Sequence, residues 1–596
     1  MFLKLTRAGG HSYVQLVESF RNELGKPRQR TVATLGRLDE VGGGVDALLH
    51  SLLRAKGLPA LTAASTAVPP VLSFDSALAL GDVWALDQLW KELGFDRLSG
   101  VFRKARFTSA VEHAVRVMVF NRLCDPDSKL GVLRWLETVD VPDVDVAALS
   151  HQQLLRAMDA LIAHQDGVGG VDEVVAELLR PLVDQDLSLV FYDLTTIRAA
   201  GLSEQDGEIR QYGMSKEGLI ARQFMLGVVQ TSEGLPIYHE VFDGNQAEAP
   251  TLVPTLQKVL KRFAHIKRLI VVADRGLLSL DNMAELMKIK LDSGQALEFI
   301  LAVPGRRYGE FAQTLQPLHD RACALSPVNK SGDEQGDEQG DEQEAQEAQD
   351  IVQETRWQDL RLVVAHHPLH AQEQTKLRRE RIVALQDKAN HWAGKLDGQD
   401  AGVLAPPPNN SRKLSDSGAK ARLYHAVCEA HMARIVKIDL KSDLFSYTVD
   451  EQALAQAELM DGKLLLVTNV ADLTPVEVVQ RYKALADIER GFRVLKSEID
   501  IAPVHHWLPK RIKAHAMICF MALIVYRVMR QRLKSAKSPF SPEAALAQLR
   551  RIQRHRVSIN DAKALQSVST ITETQADVLR ALEIKHPPQN RQLSLL

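Results

Sequence analysis

Two stretches decide how this chain reads: Leu187-Ser188-Leu189-Val190-Phe191-Tyr192-Asp193 and Arg268-Leu269-Ile270-Val271-Val272-Ala273-Asp274. Each is a short apolar run, rich in aliphatic, β-branched or aromatic residues, that closes on an aspartate. This is the pattern of a buried strand carrying a carboxylate to its end. Between them, residues 223–231 and 235–242 flank the turn Ser232-Glu233-Gly234 as a hairpin, and residues 247–263 have helical spacing. A second helix from about Leu280 and a strand over 297–303 follow, giving the order β-β-β-α-β-α-β.

Outward from this core the signals change. Residues 1–58 read as an N-terminal β-hairpin segment, with strands near 13–20 and 31–35 around a polar turn. Lys26, Arg28 and Arg30 fall there, either as a solvated turn or as contacts to a DNA backbone. Residues 59–75 form an Ala/Pro linker. Residues 76–184 have helical spacing in Val83, Leu86, Leu89 and Trp90 and again in Val111, Ala114, Val115 and Met118, so a helical domain is expected. A corner at Cys124-Asp125-Pro126-Asp127 joins two helical patterns, which fits a DNA-binding helix-turn-helix or an ordinary bundle corner.

The first part of the core occupies 185–304, and an insertion subdomain spans 305–460, with an acidic loop at 328–355 too polar to pack. Within it, 372–394 reads as a charged helix. The core resumes at 461–535: Lys463-Leu464-Leu465-Leu466-Val467-Thr468-Asn469 is a strand, and Thr474-Pro475-Val476-Glu477 starts a helical region that runs to about Ser497. Residues 536–596 form a C-terminal basic tail containing Arg550, Arg551, Arg554 and Arg556.

Composition limits the classes. A chain of 596 residues with 45% hydrophobic and 25% charged residues is globular and too long for one core. Its four cysteines are scattered singly, without zinc or disulfide spacing, which fits a reducing cytoplasm. The N-terminal residues lack a signal-peptide core, and the most apolar later run, 517–525, is too short to span a bilayer, so no membrane partner is expected. The net charge of −2 looks wrong for a nucleic-acid protein, but residues 332–350 alone hold nine acidic and no basic residues, so the remainder carries +7.

Asp193 and Asp274 end strands, and Glu489 lies in the helical region after the insertion. Strand ends beside a parallel or mixed sheet converge, so distant positions can share one pocket. Converging carboxylates call for a cation, and oxygen donors favour Mg²⁺ or Mn²⁺, with two ions suited to phosphodiester chemistry. Any one of these acids would equally serve as a turn or helix cap. Tyr482, Glu489 and Lys496 are spaced by seven residues and would form one polar stripe on a continuous helix, beside an apolar stripe of Leu485, Ile488, Phe492, Leu495 and Ile499. Alternatively Glu489 pairs with Arg493 four residues on.

At these residues the chain resembles the IS-four superfamily of bacterial insertion-sequence DDE transposases, whose third acid lies in a Tyr-x2-Arg-x3-Glu-x6-Lys signature. Tyr482, Glu489 and Lys496 match it, and Leu485 stands at the Arg position. Further likeness lies in Phe191-Tyr192-Asp193-Leu194-Thr195-Thr196, Val272-Ala273-Asp274-Arg275-Gly276, Gly213-Met214-Ser215-Lys216 before Arg222-Gln223, and the segments 25–30 and 35–38. The resemblance implies a mixed α/β fold with a ribonuclease-H-like catalytic core and a β-rich insertion between the second Asp and the Glu. It implies that Asp193, Asp274 and Glu489 ligate Mg²⁺ or Mn²⁺, and that Tyr482 and Lys496 contact DNA phosphate, with Arg275 and Arg493 nearby. The implied activity is hydrolysis at terminal inverted repeats and joining of the 3′-hydroxyl to target double-stranded DNA. A homodimer would synapse the two ends in a bacterial cytoplasm, at the nucleoid when bound. Two other readings stay open: a metal-dependent nuclease on the same core, and an inactive DNA-binding derivative.

Overall fold

The computed structural model describes residues 2–22, 26–37, 72–107, 110–183, 189–201, 207–214, 220–274, 277, 280–325, 350–401, 414–559 and 565–588. They divide into two compact units, the smaller comprising Met1–Ala77, Arg554–Ser569 and Pro588–Leu596. In the smaller unit β1 (Phe2–Ala8), β2 (His11–Arg21) and β3 (Pro27–Arg37) make an antiparallel sheet in that order. The hairpin expected from the sequence is β2–β3. Strand β1 is added through Gly9-Gly10, whose φ values of 57° and 82° suit a tight hairpin turn. Strand β4 (Leu72–Ala79) begins inside the stretch read as linker, and residues 38–71 lie outside the described residues.

The larger unit opens with helices Gly81–Leu93, Leu98–Lys104, Val111–Cys124, Lys129–Leu136, His151–Ala163 and Val171–Leu179. They gather with the long helix Pro509–Ser535. That helix is long and apolar enough to cross a membrane by length and composition, yet 94% of its apolar window is buried inside the protein. It is a core helix. Helix Val111–Cys124 is buried along most of its length, and the corner after it is locked by Asn121, which donates to the Asp125 carbonyl at 2.7 Å, and by Arg122, which donates to the carbonyls of Asp127 and, at 3.1 Å, Asp500. The corner between the two helical patterns is thus packed and hydrogen-bonded.

The central sheet comprises β5 (Leu189–Arg198), β6 (Gln211–Met214), β7 (Ile220–Thr231), β8 (Pro236–Asp243), β9 (Ile270–Ala273), β10 (Glu298–Ala302), β11 (Ile351–Trp357) and β12 (Leu360–His366). A separate hairpin, β13 (Val436–Ile438) and β14 (Tyr447–Val449), precedes its last member, β15 (Lys463–Thr468). Across the sheet the order is β11-β12-β15-β10-β9-β5-β7, and β7 takes β6 and β8 along its far edge. Only β5–β9 and β9–β10 are parallel. Counting β5, β7, β8, β9 and β10 as first to fifth, the spatial order is third, second, first, fourth, fifth, the ribonuclease-H-like core expected from the sequence.

The region between Asp274 and Glu489 contributes strands in two ways. β11 and β12 extend the central sheet beyond β15, while β13 and β14 pair apart from it. Most of the described residues of 305–460 are nevertheless helical, in Ala312–Leu325, Pro368–Asp400, Asp416–Glu429 and Glu451–Met460. The last three of these helices and the small hairpin build a second core around Ile382, Leu385, Ala389, Leu423, Val427 and Val436. The run 372–394 has no Pro and one Gly, with apolar residues at helical intervals, so it forms helix. The acidic repeat lies outside the described residues, but the end of the loop assigned to 328–355 belongs to β11, where Val352 and Glu354 register against Ala365 and Val363.

Residues assigned to a basic tail are folded: helix Pro542–Leu549, β16 (Gln553–Ile559), β17 (Leu565–Val568) and helix Glu573–Ala581. Strands β17, β16 and β4 form a three-stranded sheet. Arg556 there is spent on an ion pair with Asp75 at 3.7 Å.

Candidate active site

Strand β5 does not end at Asp193. Leu194, Thr195 and Ile197 remain buried and pair with β7 as far as Arg198, because β-branched and aliphatic residues continue past the acid. What ends there is the parallel ladder with β9, whose last registered pair is Tyr192 with Ala273. The next residues, Asp193 and Asp274, therefore both follow directly on the last registered pair of this parallel ladder, at its carboxyl end. Both are half-buried.

The alternation of β5 separates two faces. Tyr192 points away from its acidic neighbour, buried, with its hydroxyl donating to Thr251 Oγ1 at 2.8 Å; burial pushes this phenol well above its usual range. Its ring needs Gly227, where an added Cβ would stand 3.0 Å from the Tyr192 hydroxyl. On the other face lie Phe191, Asp193 and Gln230, the last in register with Phe191. Asp193 Oδ1 accepts from the backbone N–H of Leu194 at 2.7 Å, and Asp274 Oδ1 accepts from the Tyr482 hydroxyl at 2.8 Å.

Tyr482 and Glu489 belong to different helices. Helix Pro475–Lys483 starts at a capping box, with Thr474 and Glu477 satisfying each other's backbone N–H groups, and has Pro475 at its first position. It ends where Leu485 N–H bonds the Tyr482 carbonyl at 2.9 Å, three residues back, and helix Ala486–Ser497 follows. The single stripe through Tyr482, Glu489 and Lys496 is interrupted there, because the tighter turn breaks the 3.6-residue phase. The apolar stripe of the second helix holds: Phe492, Leu495 and Ile499 are buried. That helix packs on β5, and at Gly491 it comes so close that a Cβ would lie 2.7 Å from Gln230 Nε2 and 2.9 Å from an Arg527 guanidinium nitrogen. Glu489 sits on this helix two residues before Gly491; its side chain lies outside the described residues.

Of the other residues singled out, Lys496 is half-buried and Arg493 exposed on the same helix, and Arg275 lies outside the described residues. Lys26, Arg28 and Arg30 are exposed in the smaller unit, where Arg30 pairs with Glu18 at 2.7 Å and lies over the Phe20 ring. Sequence reasoning missed a cavity of about 440 Å³ lined by Tyr308, Asp350, His367, His370, Lys463 and Tyr482. Its lining comes from five separated segments, so only the fold assembles it.

Among the described residues no three or more His, Cys, Asp or Glu side chains cluster as a metal site. The donor set that is described, two half-buried carboxylates on adjacent strands, is the hard oxygen type that suits Mg²⁺ or Mn²⁺.

A ribonuclease-H-like sheet that sets two aspartates side by side at the end of its parallel strands defines the class of the molecule. The family model described as the transposase DDE domain matches residues 184–525, more than half of the sequence, and this chain belongs to that family. Residues 3–63 match the model of the IS1634 family transposase N-terminal domain. No curated protein matches the chain. Among solved structures, a piggyBac transposase synaptic complex with hairpin DNA is similar at 9% identity and a TM-score of 0.35, covering 78% of this chain and 75% of that one. Transposase DDE domains generally use divalent metal ions.

Proposed function

We propose that this chain is an insertion-sequence transposase that binds the terminal inverted repeats of its element, hydrolyses the phosphodiester at each end and joins the freed 3′-hydroxyl to target DNA. The observation that carries the reading is the register of β5 against β9, which sets Asp193 beside Asp274 within the DDE-domain match. With Glu489 on the helix packed over β5, these residues would hold Mg²⁺ or Mn²⁺, as two ions. Bound metal supplies Lewis-acid stabilisation and a nucleophile available at neutral pH.

The chain's own contribution is positioning. In hydrolysis a water oxygen bonds phosphorus as the bond to the 3′ oxygen breaks, and that oxygen leaves as a hydroxyl. In joining, the 3′-hydroxyl oxygen bonds a target phosphorus while the target's own 3′ oxygen leaves and takes up a proton. A sheet that fixes two carboxylates against one reacting phosphate removes much of the orientational cost of both steps. Lys496, Arg493 and Arg275, with Lys26, Arg28 and Arg30 of the smaller unit, are the proposed phosphate contacts. Two copies would synapse the two ends in the cytoplasm.

The test is cleavage and strand transfer on paired terminal-repeat DNA with Mg²⁺. Asp193→Asn should reduce cleavage to background and leave DNA binding intact; unchanged cleavage would defeat the assignment. Cleavage by the unaltered protein without joined product would mark a nuclease, and binding without cleavage a DNA-binding derivative.

A further inference from the structure

We infer that Tyr482 is a positioning residue for the second aspartate: its phenol fixes the Asp274 carboxylate for a divalent cation. The inference rests on the reading of Asp193 and Asp274 as metal ligands. The two aspartates are held by different means. Asp193 lies within β5, paired with Val228 of β7, and its carboxylate is tied to the next backbone N–H at 2.7 Å. Asp274 follows the last residue of β9 and has left the ladder. Its side chain is held at Oδ1 by the Tyr482 hydroxyl at 2.8 Å.

The phenol comes from a firm support. Helix Pro475–Lys483 is capped at its start, buries Val478 and Val479, and packs on β9, β11 and β12. An ionised carboxylate offers about four lone-pair sites, and the phenol occupies one, leaving the others for a cation. A Lys or Arg in this place would also hold the carboxylate but would compete with the cation by charge; a neutral phenol does not. Ligating carboxylates are commonly oriented by such outer hydrogen bonds.

The experiment uses the full chain and Tyr482→Phe, which keeps the ring in the cavity wall and removes only the hydroxyl. Mn²⁺ binding is followed by the electron paramagnetic resonance signal of the free ion, and affinity for terminal-repeat duplex is measured without metal. Removal of the hydroxyl should weaken Mn²⁺ affinity about 10–100-fold, leave metal-free DNA affinity unchanged, and give cleavage that recovers as Mn²⁺ is raised. Unchanged Mn²⁺ affinity, or a loss confined to DNA affinity, would overturn the inference. A parallel melting curve confirms that the variant is folded. Asp274→Asn separates the two levels: if it leaves Mn²⁺ affinity intact, the metal-site reading itself fails. If it abolishes binding while Tyr482→Phe does not, only the positioning role fails.

Discussion

Replacing Lys129 by Met should stabilise the protein at neutral pH, and the gain should vanish in alkali. Lys129 is 5% exposed at the first position of helix Lys129–Leu136, where a helix terminus already disfavours a cation. Burial, reinforced by the nearby Arg122 guanidinium, lowers its ammonium to about 7. The folded state therefore binds fewer protons than the unfolded chain between pH 7 and the ordinary lysine value of 10.5, so stability rises with pH through that window. At roughly 1.4 kcal/mol for each pH unit, the cost of keeping this lysine buried is on the order of 4–5 kcal/mol at pH 6, about 3 at pH 8 and under about 1 at pH 10. Met has similar length and no charge, so Lys129→Met removes this cost while keeping the packing of the chain. The assay is thermal unfolding of the two proteins side by side at pH 6, 8 and 10. The variant should melt clearly higher at pH 6 and 8, and the curves should converge at pH 10. A difference that does not change with pH, or a variant that melts lower at neutral pH, would refute the reasoning.

The acid side has the same origin. Burial lowers His506 and His366 to about 4 and His239 to about 3, so each is neutral when folded and the unfolded chain binds more protons as pH falls below 6.5. Melting temperature should therefore drop progressively from pH 6.5 to pH 4, and His506→Gln should flatten the drop. Thr474→Ala removes one half of the capping box and should cost about 1 kcal/mol, seen as faster hydrogen exchange in the first turn after Pro475 with little change elsewhere. Gly227→Ala places a methyl 3.0 Å from the Tyr192 hydroxyl and 3.1 Å from its ring, so the ring must shift from Thr251. A loss of about 1–3 kcal/mol should appear in melting, together with weaker cleavage because Asp193 is the next residue on β5.

The core was legible where burial is symmetrical. Strands β9, β10 and β15 lie inside the sheet, so their sequences are nearly unbroken apolar runs that need no partner to be recognised. At the margins the signal fades for a physical reason. Strand β11 is an edge strand with one neighbour; only half of its pairing positions need apolar residues, and Ile351-Val352-Gln353-Glu354-Thr355-Arg356-Trp357 reads as the end of a charged loop. Strand β1 alternates as a strand should, but Phe2, Leu3 and Leu5 remain exposed, so no core requirement marks them. Neither pattern reveals which sheet a strand joins, since pairing across many residues is set by the whole fold.

The candidate site divides along the same line, and the division shows how it is built. Asp193 and Asp274 stand out in the sequence because each closes an apolar run whose place in the sheet can be inferred from order alone. The segment carrying Tyr482 and Glu489 is harder, because a seven-residue stripe assumes one helix, and the turn at Ala484 and Leu485 contains neither Pro nor Gly to announce a break. That break has a geometric use. The first helix, with Tyr482, packs against β11, β12 and β9, the last being the strand that leads to Asp274; the second, with Glu489, packs against β5, the strand that carries Asp193. One continuous rod crossing the sheet would have to follow a single line. Two short helices joined at Leu485 place Tyr482 on the helix against β9 and Glu489 on the helix against β5, so in the proposed site one local segment would serve two strands whose aspartates are 81 residues apart.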